Sequence, residues 1–290
     1  MESNRYTKHS KRRRLNYKRL FLLILIVGLL VAVIVMLVNK GKKTNEENPP
    51  VSSDFSSVES GVSSEPQPVS YEERVGKEYK IDITPYLKYI DVKTDEFVFL
   101  VNPSNPLSKD YVPGDLEDCG HTRKDGRAVQ KLRTNAAKAL QAFLAEGKEY
   151  GVTNVTVTSA YRSYAYQNSL FNQYFERDWA TGKYATREEC ERNVLTYSTK
   201  PGTSEHQSGL CLDMHNLPAA DQAFANTTEA KWLAENCYRF GFILRYPKDK
   251  RDITKIIYEP WHFRFVGREA ATEMYEKGLC LEEYIELKNQ

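Results

Sequence analysis

An unbroken apolar run near the amino terminus, "LFLLILIVGLLVAVIVMLV" at positions 20–38, constrains this chain more than any other feature. At 1.5 Å rise per residue, a helix of this length is close to the roughly 30 Å hydrocarbon core of a bilayer. A cleaved signal peptide is the alternative, but its apolar region is usually about 7 to 15 residues and ends at a small-residue cleavage site. Here the run continues into "NKGKKTNEENPP", which has no such site. The sequence therefore predicts an uncleaved signal anchor that crosses a membrane once.

Charge on either side of the apolar run predicts its orientation. Eight Lys and Arg residues lie within residues 1–19, against three lysines directly after the run. Because loops rich in Lys and Arg stay in the cytoplasm, residues 1–19 should form a basic cytoplasmic tail, and everything after residue 38 should lie outside. The whole chain carries a formal net charge of only +2. The basic cluster is explained by the adjoining span, so we expect no nucleic-acid partner.

Residues 39–75 are rich in Ser, Pro, Glu and Gly and contain few large apolar side chains. Such a segment cannot bury enough surface to offset the entropy of ordering its backbone, so it should be a flexible stalk. The remaining residues, 76–290, form a domain that is long enough to bury its own core. The predicted organisation is thus a tail, a membrane span, a stalk and one extracellular domain.

Helical and strand patterns are mixed in the domain without the regular alternation of a doubly wound sheet, which favours an α+β fold. No GxGxxG or GxxxxGK[ST] phosphate loop is present. The five cysteines include no CxxC pair, so a thiolate zinc cluster is not expected, and their spacing leaves disulfide pairing open. Helices are predicted near 132–151, 164–179, 187–197, 229–239, 268–278 and 281–289, and strands near 152–162, 210–214, 241–246 and 260–266.

Two short motifs carry the chemistry: "SEHQSGLCLDM" at 204–214 and "EPWH" at 259–262. If His206, Asp213 and His262 meet in space, two imidazoles and one carboxylate leave a fourth position for water, as a catalytic zinc site requires.

Glu259, three residues before His262, could then accept a proton from the water and pass it to a leaving amine, which implies hydrolysis of an amide bond. Spacing alone leaves two other interpretations open. The histidines can be ordinary polar residues, and His215 would share a strand face with Asp213 and compete as a ligand.

The motifs resemble a known family. "SEHQSGLCLD" fits the SxHxxGxxxD pattern and "EPWH" the ExxH pattern of VanY-type zinc D-alanyl-D-alanine carboxypeptidases, in the wider group that includes D-Ala-D-Ala dipeptidases and bacterial hedgehog-like peptidases. "SAYRSYAYQNSLF" (159–171) resembles the family's arginine-bearing segment, and "LVNPSNPLSKDYVP" (100–113) its entry segment. The four matches occur in the expected order and cover about residues 98–268.

The resemblance implies a small central antiparallel sheet flanked by helices. It also implies that His206, Asp213 and His262 bind one Zn²⁺ per chain and that Glu259 is the general base. Arg162 would lie beside the metal, where a guanidinium can stabilise an oxyanion or hold a substrate carboxylate.

Three further positions follow from the same resemblance. Ser204 and Gln167 would line the pocket for the substrate's C-terminal end, although Ser204 can simply shape its loop and Gln167 can be a solvated helix residue. Cys211 departs from the family, which usually has a small residue such as alanine there. We expect a buried free cysteine at this position.

The implied activity is removal of the terminal D-Ala from peptidoglycan stem peptides that end in D-Ala-D-Ala. The alternatives are a peptidoglycan endopeptidase, an L,D- or D,D-peptidase with the same zinc chemistry, and a non-catalytic cell-wall-binding module. We expect a monomer at the cell membrane, anchored through residues 20–38, with its catalytic domain extracellular.

Overall fold

A computed structural model of the chain describes residues 79–92 and 96–290. In these residues the α-helices are α1 (Leu87–Ile90), α2 (Thr134–Glu149), α3 (Tyr164–Trp179), α4 (Arg187–Val194), α5 (Thr228–Asn236), α6 (Arg251–Thr254), α7 (Arg268–Lys277) and α8 (Leu281–Lys288). The strands are β1 (Leu116–Asp118), β2 (Lys131–Arg133), β3 (Thr156–Ser159), β4 (Cys211–His215), β5 (Phe242–Leu244) and β6 (His262–Phe265). Short 3₁₀ helices cover Thr84–Tyr86, Glu205–Ser208, Gln222–Asn226, Cys237–Phe240 and Lys248–Lys250.

A four-stranded sheet in the order β3-β4-β6-β5 organises the fold, and all of its pairs are antiparallel. Strands β1 and β2 form a separate antiparallel pair. The predicted α+β fold with a small antiparallel sheet and flanking helices is therefore confirmed. In the register of the central strands, Asp213 lies opposite both Ser159 and His262. Because directly opposed residues project from the same face of a sheet, this register brings Asp213 and His262 together.

The side chains of β6 alternate between the core face of the sheet and its opposite face. Successive side chains on a strand point to opposite faces, so Phe263 and Phe265 share one face and His262 and Arg264 the other. All four side chains of β6 are buried. Phe263 packs edge-on against Phe143 of α2, at 6.3 Å between ring centroids. The core thus lies on the α2 side, and the polar side chains of β6 face away from it.

Helix α2 covers the core face because its apolar residues recur at helical spacing. Ala136, Leu140 and Phe143 are fully buried along one stripe. Phe143 also stacks with Phe240, at a centroid distance of 5.2 Å, and with Trp232, at 5.5 Å. This aromatic cluster joins α2, α5 and the 3₁₀ turn that precedes β5.

The predicted tail (1–19), membrane span (20–38) and stalk (39–75) lie outside the described residues. Among the residues that the structure does describe, no helix is both long and apolar enough to cross a bilayer. All five cysteines fall in this part of the chain, and each is a buried free thiol.

Gly241, which ends the 3₁₀ turn before β5, provides a test of the fold. Its φ is +80°, and a Cβ there would lie 2.8 Å from Cε2 of Phe265 and 3.1 Å from the backbone nitrogen of Arg268. We expect Gly241→Ala to lower the free energy of unfolding by at least about 1–2 kcal/mol, the cost of left-handed backbone for an L-residue. Gly114→Ala is the control, because a Cβ there meets nothing within 4 Å. Urea unfolding midpoints that are equal for the two variants would contradict this account.

Candidate active site

A cavity of about 620 Å³ opens on the polar side of the sheet. Its walls include the segment after β3, the 3₁₀ turn before β4, strand β4 itself and the turn into β6. The side chains that line it include Arg162, Ser204, His206, Asp213, Glu259 and His262. Segments about a hundred residues apart in the chain therefore supply one site.

His206 is held by a short 3₁₀ turn and by the backbone after β3. Its carbonyl accepts a hydrogen bond from the Arg162 N–H at 3.1 Å. Its Nδ1 lies 2.6 Å from the Ala160 carbonyl oxygen. Because a carbonyl only accepts, Nδ1 carries a proton and donates it there, and Nε2 is left as the nitrogen that can bind a metal ion. That Nε2 lies 3.3 Å from Oδ2 of Asp213.

Asp213 lies between the two histidines. Its Oδ1 is 3.0 Å from Nδ1 of His262, and the centroids of the His206 and His262 rings are 5.0 Å apart. Burial opposes ionisation of Asp213, but the adjacent His206 and His262 outweigh it and hold the pKa of this carboxyl well below its usual value. The site therefore contains an ionised carboxylate between two buried imidazoles.

Glu259 lies in a β-turn before β6, and it lines the same cavity as Asp213 and the two histidines. The His262 N–H donates to the Glu259 carbonyl at 3.1 Å, with Pro260 at the second position of the turn, where its fixed φ suits the geometry. Oε2 of Glu259 lies 3.6 Å from Nδ1 of His262. Burial raises the pKa of Glu259 to about 7, although the charge on His262 opposes the shift. A carboxylate with a pKa near neutrality is well matched to proton transfer.

Arg162 follows β3 and lines the cavity beside the histidines. Its Nε is buried and has no hydrogen-bond partner among the described residues. Ser204 is 5 % exposed and also lines the cavity. Gln167 is buried and lies outside the cavity lining, where its Nε2 donates to the Thr199 carbonyl at 2.7 Å. Thr199 does line the cavity, so Gln167 supports the wall from behind.

His215 shares a strand face with Asp213 but does not join the site. Its Nδ1 lies 3.2 Å from Nη2 of Arg123, and its ring packs on Phe224 at a centroid distance of 6.2 Å. These contacts direct the imidazole away from the cavity, whose lining does not include it.

The sequence did not identify the aromatic wall of the cavity. Tyr174 comes from α3, and Tyr197 follows α4. The Tyr197 hydroxyl donates to Oδ2 of Asp178 at 2.7 Å and accepts from Arg177 at 3.0 Å. Helical spacing was the signal that could have found Tyr174. It lies seven residues after Gln167, the residue expected at the pocket, and hence on the same face of α3.

The donor set fits a zinc ion. Imidazole nitrogens and a carboxylate oxygen are the ligands of catalytic zinc sites, and here all three side chains are largely buried around one point. Cys211 adds a thiol, because the donor atoms of His206, Cys211 and His262 all lie within 4.8 Å of one another. Cys211 is a buried free cysteine, as predicted.

Comparison with known proteins identifies the family of this chain. The family model described as "VanY: D-alanyl-D-alanine carboxypeptidase" matches residues 129–268. YodJ of Bacillus subtilis (strain 168), described as a carboxypeptidase, is 35% identical over 197 residues, which are 66% of this chain and 68% of YodJ. This chain belongs to the VanY family. The resemblance predicted from the sequence motifs is thereby confirmed.

Solved structures of VanY-like proteins share the fold. The LD-carboxypeptidase LdcB is 35% identical with a TM-score of 0.58, and the match covers 68% of this chain and 89% of LdcB. A mutant of the vancomycin resistance D,D-pentapeptidase VanY, solved in complex with Zn(II), is 37% identical with a TM-score of 0.55. That match covers 66% of this chain and 99% of the VanY chain.

Proposed function

We propose that this protein is a zinc-dependent D-alanyl-D-alanine carboxypeptidase that removes the terminal D-Ala from peptidoglycan stem peptides. The observation that carries the proposal is the meeting of His206, Asp213 and His262 with Glu259 in one cavity. Membership of the VanY family supports the substrate class. The Zn(II) in the VanY relative supports the metal.

His206, through Nε2, Asp213, through its carboxylate, and His262, through Nδ1, would hold one Zn²⁺. When bound in such a site, zinc lowers the pKa of water to about 7 and polarises a carbonyl group. Glu259 accepts the proton of the attacking water and delivers it to the amine of the departing D-alanine. Its carboxylate suits both transfers because burial has raised its pKa towards neutrality.

Arg162 supplies positive charge to the same cavity. A guanidinium with a free donor can stabilise the negative charge that develops on the scissile carbonyl oxygen, or it can hold the carboxylate of the terminal D-Ala. Ser204 lies on the cavity wall next to the ligand loop, where its hydroxyl can contact the C-terminal end of the substrate. Gln167 maintains that wall through Thr199.

Arg162→Ala separates the two uses of the guanidinium. We expect kcat to fall by about a hundredfold or more, as for the loss of an oxyanion partner. Steady-state kinetics on a stem pentapeptide would measure this, with Arg251→Ala, at an exposed arginine of α6, as the control. A rise in KM at unchanged kcat would assign Arg162 to recognition of the substrate carboxylate instead.

Release of D-alanine from a stem pentapeptide ending in D-Ala-D-Ala tests the function directly. The full-length protein in detergent should release one D-alanine per peptide, lose that activity to a chelator and regain it when zinc is restored. Metal analysis of the same sample should find one zinc ion per chain. Zinc binding without release would refute the proposed substrate, and absence of zinc would refute the proposed site.

An L,D-carboxypeptidase is the second candidate, favoured by the similarity to LdcB over 89% of that chain. The two activities differ in the configuration of the penultimate residue. A stem tetrapeptide, in which an L-residue precedes the terminal D-Ala, is the discriminating substrate. A kcat/KM for the tetrapeptide above that for the pentapeptide would select the L,D activity. Cleavage inside a cross-linked peptide, without release of free D-alanine, would select an endopeptidase.

The proposed location is the cell membrane, with a single span at residues 20–38 and the catalytic domain outside as a monomer. The apolar run and the basic residues before it support this proposal. Protease added to intact cells should remove the catalytic domain, and light scattering of the purified protein should give the mass of one chain. Protection of the domain until the cells are lysed would contradict the orientation.

A further inference from the structure

We infer that Glu205, which precedes the ligand His206, is a positioning residue that fixes the ring of His262 through its Nε2 proton. The inference rests on the proposed function, because it concerns the same metal site. It begins with two buried atoms that face each other: Oε2 of Glu205 and Nε2 of His262 are 3.9 Å apart. The two side chains are only 1% and 4% exposed. Neither atom has a hydrogen-bond partner among the described residues.

The other nitrogen of His262 faces the metal site. Nδ1 lies 3.0 Å from Asp213 and 3.6 Å from Glu259, so it is the nitrogen available to an ion. Nε2 must then carry the ring proton, and Oε2 of Glu205, 3.9 Å away, is the carboxylate oxygen that faces it. A metal-binding histidine almost always donates its second N–H to a carboxylate, a carbonyl or a water, which sets the tautomer and the orientation of the ring. For His206 that partner is the Ala160 carbonyl.

Two arginines hold the carboxylate of Glu205 in place by its other oxygen. Oε1 accepts a hydrogen bond from Nε of Arg245 at 2.8 Å and lies 3.2 Å from Nη1 of Arg264. Both arginine side chains are essentially inaccessible to solvent. Because Oε1 takes both arginines, Oε2 is left to face His262.

A second carboxylate completes this network. Glu282 of α8 binds Arg245 through two hydrogen bonds, of 2.8 Å and 2.6 Å. Two guanidinium groups and two carboxylates then balance in charge, which a buried cluster requires.

Arg264 also donates to the carbonyl oxygens of Phe97 and Phe99, at 3.2 Å and 3.1 Å. Phe97, Phe99 and Glu282 all lie outside the matched residues 129–268. Flanking segments of the chain thus hold the carboxylate that orients a metal ligand.

Glu205→Gln tests the inference, because it keeps the shape of the side chain and removes its charge. We expect the zinc affinity of the full-length protein, measured by competition with a chromophoric chelator, to fall by about 10- to 100-fold. Glu283→Gln is the matched control on α8, where Glu283 pairs with Lys250 at 2.9 Å, and a glutamine can still cap the helix. Its zinc affinity should equal that of the wild type. Equal affinities for Glu205→Gln and the wild type would overturn the inference.

A measurement on the wild type covers the case in which Glu205→Gln does not fold. Long-range ¹H–¹⁵N correlation spectra of the zinc-loaded protein should show the His262 proton on Nε2, and a proton on Nδ1 would overturn the inference. An experiment that refutes the role of Glu205 can be told apart from one that refutes the proposed function. Wild-type protein that binds zinc but releases no D-alanine refutes the substrate alone, whereas D-alanine release with unchanged zinc affinity in Glu205→Gln refutes only the role of Glu205.

Discussion

Replacing Glu259 with glutamine should reduce the kcat for D-alanine release by about a hundred- to ten-thousandfold, the usual contribution of a general base. Glutamine fills the same space but cannot accept a proton from water. The metal should remain, because His206, Asp213 and His262 are untouched and Oε2 of Glu259 lies 3.6 Å from Nδ1 of His262. Turnover and zinc content measured on the same preparation would check both halves of this prediction.

Glu235→Gln is the control for this experiment, since Glu235 is an exposed residue of α5. It should retain wild-type turnover and wild-type zinc content. Near-normal activity in Glu259→Gln would show that another group accepts the proton. Loss of zinc in that variant would instead show that Glu259 contributes to holding the metal.

Replacing His206 with alanine should remove the metal itself and abolish turnover with it. The variant loses the Nε2 donor that faces Asp213 at 3.3 Å. Of the three proposed ligands, one imidazole and one carboxylate remain, which is fewer than the three protein ligands of a catalytic zinc site. We expect the zinc content of the purified protein to fall from one ion per chain to nearly none.

His215→Ala is the matched control, because both histidines are 2% exposed. A loss of zinc that came only from removing a buried imidazole would therefore appear in both variants. The control should keep its zinc ion, since His215 contacts Arg123 rather than the cavity. Thermal unfolding of both variants would show that each is folded at the assay temperature. Unchanged zinc content in His206→Ala would remove His206 from the ligand set.

Local patterns predicted most of the secondary structure. The helix expected at 164–179 has those bounds in the structure, and the strand expected at 210–214 is present at Cys211–His215. The strand expected at 152–162 is shorter, Thr156–Ser159, because only those residues pair with β4. Periodicity shows which residues favour an extended backbone, whereas the ends of a strand depend on where its partner ends.

The motifs predicted the side chains that meet at the candidate metal site, but not how each is oriented. Spacing left His215 as a competing ligand, and the structure turns it away by a contact with Arg123, ninety-two residues distant in the chain. Gln167 was expected on the pocket wall or in solvent. It is buried behind the wall because Thr199 follows a separate helix that packs on α3.

The sequence by itself determined the family, the α+β class and the identity of the candidate metal donors and base. Each of these depends on the residue types within short segments and on the order of those segments along the chain. Only the tertiary structure decided which nitrogen of each histidine faces the site, which aromatic residues line the cavity and that Glu205 lies between Arg245, Arg264 and His262. Those features depend on strand register and on contacts between residues up to 167 positions apart. Such contacts form only when the whole core packs, so no local pattern in the chain specifies them.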